Sequence, residues 1–65
     1  MKPLNTKNFV QELKSLGYTE SRNSGSHRIF TKAGGKFNIS FPAGREISSG
    51  VARDLLKRIE LNNRG

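Results

Sequence analysis

No cysteine occurs in this chain, so no disulfide can staple it and no thiolate can hold a metal. One histidine and five scattered acids offer no cluster with metal-ligand spacing, and the sequence calls for no metal ion and no cofactor. No apolar run exceeds two residues. That excludes a membrane-spanning helix, which needs about 20 apolar residues. It also leaves Met1-Lys2-Pro3 without the apolar stretch of a signal peptide. Lack of cysteine and of targeting signals fits a cytoplasmic protein. With 65 residues there is room for a single domain, residues 1–65, which buries only about 60% of its unfolded surface.

Acidic residues are scarce: five Asp and Glu face twelve Lys and Arg, for a net charge of +7. The excess runs along the whole chain, from Lys7 and Lys14 through Arg28, Lys36 and Arg45 to Arg53, Lys57 and Arg64. A compact domain with a pI near 10.7 is built to meet a polyanion. Nucleic acid is the first candidate. An anionic membrane fits less well, because no segment pairs a basic face with exposed Trp or Phe. An acidic protein is a third partner, compatible with the first.

The apolar pattern predicts five elements. Thr6 is a candidate N-cap, and Phe9, Val10, Leu13 and Leu16 form one helical stripe that Gly17 ends. Lys7, Gln11 and Lys14 lie on the wet side of that helix. Tyr18 to Asn23 reads as a strand, Ser24-Gly25-Ser26 as a turn and His27 to Lys32 as a second strand. After the glycine-bearing loop Ala33–Lys36, the alternation of Phe37, Ile39 and Phe41 marks a third strand that Pro42 closes. Ser48 or Ser49 then caps a helix with the apolar stripe Val51, Ala52, Leu55, Leu56 and Ile59, fraying from Asn62 to Gly65. The expected fold is α+β, in the order α-β-β-β-α, with a three-stranded antiparallel sheet covered on one face by two helices. Phe37, Ile39 and Phe41 are expected in the core rather than as base-stacking platforms. The register of the second strand stays open. Phe30 turned to the helices puts His27 on the open face, and Ile29 turned inward puts His27 at the helix-side margin.

His27 carries the chemical interest. Histidine is the side chain whose ordinary pKa lies nearest neutrality. RNA brings its own nucleophile, the 2′-OH, so its cleavage needs one group to take that proton, and no metal or covalent intermediate. Such a base contributes about 10²–10⁴-fold. Cations beside the reacting phosphate stabilise its developing charge; Arg28, Lys36 and Arg45, in or beside the flanking loops, are the candidates. Gly25 allows close backbone approach, and Ser26 offers a hydroxyl and an N–H to phosphate. Arg53 and Lys57 add a basic stripe on the second helix. The bland reading makes His27 a solvated turn residue and the stripe a solvated face.

The order α-β-β-β-α with a basic surface is that of double-stranded-RNA-binding domains, which read A-form shape. A more specific pattern runs through Leu16-Gly17-Tyr18, Gly25-Ser26-His27-Arg28-Ile29-Phe30, Ile39-Ser40-Phe41-Pro42, Glu46-Ile47, Gly50, Leu55-Leu56 and Ile59-Glu60-Leu61. This pattern resembles the HicA toxins, small mRNA interferases of bacterial toxin–antitoxin modules, from about Phe9 to Leu61. The resemblance implies a dsRNA-binding-like fold, endoribonucleolytic cleavage of mRNA with His27 as the catalytic residue, and neutralisation by a HicB-type antitoxin covering the active site. A free monomeric toxin is expected. Many members carry a second histidine after the strand-three proline. Here Ala43-Gly44 follows Pro42, so no second histidine is expected to act, and water or His27 itself after charging must protonate the leaving 5′-oxygen. The other readings are a non-catalytic RNA-binding module of the same fold and a basic module for an acidic protein.

Overall fold

The computed structural model describes residues 2–64, the side chains of residues 22–24 excepted. A two-residue strand, β1 (Leu4–Asn5), leads into helix α1 (Thr6–Ser15). Strands β2 (Thr19–Ser24), β3 (His27–Thr31) and β4 (Ile39–Pro42) form the antiparallel sheet β2-β3-β4. A second short strand, β5 (Glu46–Ile47), pairs with β1 before helix α2 (Ser49–Arg64). The α+β architecture and the three-stranded sheet match the expectation. The β1–β5 pair is an addition, too short to show in any periodicity.

That pair moves the helix start. Asn5 is held extended in β1 and its side chain accepts the Asn8 N–H at 3.1 Å, so Asn5 and not Thr6 is the cap. Thr6 is already helical, and its N–H donates to the Arg45 carbonyl at 2.9 Å. At the other end Gly17 takes φ 96°, the Gly17 N–H reaches the Lys14 carbonyl and the Tyr18 N–H reaches that of Leu13. This is a Schellman closure, and it seats Tyr18 in the core with Leu13.

Phe30 is fully buried and stacks on Phe41 with ring centroids 5.7 Å apart; Phe9 of α1 meets Phe41 edge-on at 5.6 Å. Phe30 therefore faces the helices, which fixes the open register: His27 and Ile29 point to the other face of the sheet. Strand β2 shifts register between Glu20 and Arg22, a bulge that lets Glu20 oppose Phe30 while Arg22 opposes Ile29.

Core membership departs from the apolar pattern at both ends. Tyr18, Phe30 and Ile47 are buried beyond the predicted apolar stripes, whereas Phe37 and Leu56 are 42% and 41% exposed. Strand β4 begins at Ile39 rather than Phe37 because the backbone of Phe37 is bonded elsewhere. Asn62 of α2 accepts the Lys36 and Phe37 N–H groups at 2.8 and 2.9 Å through Oδ1, and donates from Nδ2 to the Phe37 carbonyl and the Tyr18 hydroxyl at 3.0 and 2.8 Å. Buried and fully bonded, Asn62 keeps α2 helical through Arg64 where fraying was expected; the expectation for Gly65 lies outside the described residues.

Candidate nucleic-acid interface

The turn between β2 and β3 is made by Gly25, with φ 60° and open space where a Cβ would stand. Glycine is required there by backbone conformation rather than by crowding. The turn is tied across the sheet: the Ala43 N–H donates to the Ser26 carbonyl at 2.6 Å, and His27 pairs in register with Pro42. Both Ser26 and His27 are exposed. Thus Gly25, Ser26, His27, Pro42 and Ala43 form one open end of the sheet, with the imidazole directed away from the helices.

Arg28 turns the opposite way. It donates twice to Glu20, from Nε and Nη2, each at 2.9 Å, and its guanidinium lies 5.5 Å from the centre of the Phe30 ring. The Arg28 hydrogen bonds hold the Glu20 carboxyl below the usual carboxylate range, and Glu20 raises the Arg28 guanidinium further. On this side lies a groove of about 540 Å³ between α1 and the loop after β4. Lys7, Gln11 and Lys14 line it from α1, with Arg28 from β3 and Arg45 from the loop. Among the described residues Arg28 is the groove's one ion-paired cation; the remaining ion pairs, Arg58–Asp54 and Arg64–Glu60, belong to α2.

The expected site residues therefore divide. Gly25, Ser26 and His27 sit together at the sheet's end. Arg28 and Arg45 share the groove on the helix side of the sheet. Lys36 is removed to the far end of the β3–β4 hairpin, where its N–H meets Asn62. It is not beside His27, because a loop next to a strand in sequence can close either end of a hairpin. Arg53 and Lys57 are exposed on the outer face of α2, away from Ala52, Leu55 and Ile59. Lys7 and Lys14 are the groove cations that sequence reasoning misses, since it places them only on a wet face. The available signal is their spacing with Gln11 (i, i+4, i+7), which puts all three on one helical stripe. Among the described residues no group of three His, Asp or Glu side chains gathers as a metal site, and no helix is long and apolar enough to cross a membrane.

Fold and surface together define a small basic α+β domain with a cationic groove on the helix side of the sheet and an exposed histidine directed to its other face. The chain matches the family of HicA toxins of bacterial toxin–antitoxin systems over residues 6–61, and it belongs to that family. Membership makes it the toxin of a toxin–antitoxin pair, with an antitoxin as its partner. No individual curated protein and no solved structure matches the chain.

Proposed function

We propose that this toxin is a metal-independent endoribonuclease acting on mRNA in the cytoplasm, with His27 as general acid and base and a HicB-type antitoxin covering the site. The observation that carries this reading is the exposed imidazole at the Gly25–His27 turn, on a strand whose next residue, Arg28, reaches the cationic groove on the other face with Lys7, Lys14 and Arg45. Steps in the reaction follow from the substrate. An imidazole nitrogen of His27 takes the 2′-OH proton, the 2′-oxygen attacks the adjacent phosphorus, and the bond from phosphorus to the 5′-oxygen breaks. The products are a 2′,3′-cyclic phosphate and a 5′-hydroxyl. The leaving oxygen takes its proton from water or from the imidazolium just formed. Cations of the groove hold the neighbouring phosphates, and Ser26 and Gly25 present backbone and hydroxyl donors at the turn. Lys36, Arg53 and Lys57 bind RNA away from the reacting phosphate.

The reading is tested on the ends of the cut RNA. Cleavage should leave cyclic phosphate and 5′-hydroxyl, and a single 2′-deoxy substitution at the cut nucleotide should abolish it. A 3′-hydroxyl with a 5′-phosphate, or cleavage of the deoxy substrate, would show that a different nucleophile acts. Tight RNA binding without any cleavage would leave the chain as an RNA-binding module.

A further inference from the structure

Phe37, expected in the core, stands on the surface together with Leu61, which is 38% exposed. With Lys36 and Arg64 they line a recess of about 310 Å³. The recess lies at the end of a stripe on α2: Arg53, Lys57, Leu61 and Arg64 follow at i, i+4, i+8 and i+11, opposite the buried Ala52, Leu55 and Ile59. Phe37 is also held in place. Its N–H and carbonyl are both bonded to the side chain of Asn62, as is the N–H of Lys36. An apolar ring is thus presented to water on a backbone that a buried side chain fixes. Lys36, Arg53 and Lys57 have no ion-pair partner among the described residues, whereas Arg64 shares its charge with Glu60 at 3.0 Å.

A rigid exposed aromatic between cations suits a ligand that carries a flat ring and a negative charge in each unit. Unpaired RNA is such a ligand: its bases stack on aromatic side chains while Lys and Arg follow the backbone. Duplex RNA keeps its bases stacked inside and is read by shape. We propose that Phe37, flanked by Lys36 and Arg64, is a stacking platform for one base of single-stranded RNA, with Arg53 and Lys57 holding the phosphates that lead to it. This rests on the reading of the chain as acting on RNA, and it names the substrate as unpaired. Phenylalanine has no polar edge, so the platform does not select among bases.

The test uses His27→Ala protein, which leaves the oligonucleotide intact, carrying in turn Phe37→Ala, Phe37→Leu and Phe37→Trp. The chain has no tryptophan, so the Phe37→Trp ring reports alone. Affinity for an unpaired oligonucleotide should fall about 5- to 100-fold with Ala and with Leu and persist with Trp, whose emission should quench on binding. Affinity for a duplex of the same sequence should stay unchanged. Phe37→Leu binding unpaired RNA as tightly as the Phe37 protein would overturn the platform, as would equal losses for duplex and single strand. A loss of affinity for an acidic protein partner, with RNA affinity intact, would assign the recess to protein docking and also overturn it. If the His27-intact chain cleaves RNA and only these arms fail, the platform alone is wrong. If the chain neither binds nor cleaves RNA, the ribonuclease reading falls and the platform with it.

Discussion

Single side chains fix the most testable chemistry. The Glu20–Arg28 pair has about a quarter to a third of each side chain in water, 28% and 29%, so its contribution is at most about 1 kcal/mol. Its pH dependence has a definite sign. Arg28 lowers the carboxyl of Glu20 in the fold, so the stabilisation is present above the ordinary glutamate value of about 4.3 and is lost as pH falls through the lowered one. Urea midpoints of wild type and Glu20→Gln should differ at pH 7 and converge in acid; a gap that does not change with pH would show that the charge is not what matters. Thr6 gives the opposite kind of prediction. Its hydroxyl is buried without a partner among the described residues, which costs roughly 1–3 kcal/mol in an apolar surrounding. Thr6→Val keeps the shape and should leave the thermal midpoint unchanged or raise it, and a drop would reveal a partner for the hydroxyl.

At the scale of elements, Asn62 decides where two of them end. It terminates the β3–β4 loop by taking the hydrogen bonds that would have extended β4, and it holds the last turn of α2 on Tyr18. Asn62→Ala leaves two N–H groups, a carbonyl and a phenol without their partner, and should cost about 2–4 kcal/mol. For a domain this small that lowers the midpoint by roughly 10–25 °C, read by circular dichroism. A loss of only a degree or two would mean that water replaces the side chain without penalty. The element order and most of the helix-facing stripe were legible because 3.6-residue and alternating periodicities report burial directly. Asn62 was not, because a polar residue near a helix end looks like fraying until the loop it serves is seen. Phe37 misled for the same reason: it continues the alternation of Ile39 and Phe41, but its backbone is claimed by α2. The register of β3 was undecided with Ile29 and Phe30 adjacent, and packing against Phe41 decided it.

Over the whole molecule the charge is the organising quantity. The excess of Lys and Arg alone is what puts a polyanion forward as the proposed partner class, and the Gly25-Ser26-His27 step was visible as a turn entering a strand. Which cations cooperate was not visible, because that depends on tertiary placement: Lys7 and Lys14 come to Arg28 and Arg45, while Lys36 goes to the opposite end of the hairpin. If the groove holds phosphates, Lys7→Glu with Lys14→Glu should flatten the dependence of log affinity on log salt. The slope should fall by about 0.7 for each phosphate that is no longer neutralised, alike for every unpaired sequence. An unaltered slope would place the phosphates elsewhere on the surface.

The central claim is that a single histidine cuts RNA, and single-turnover cleavage of an unpaired oligonucleotide in the presence of a metal chelator measures it. Wild type should cleave, and His27→Ala, with an unchanged circular dichroism spectrum and thermal midpoint, should cleave at least about 100-fold more slowly. Equal rates for the two proteins would contradict the account.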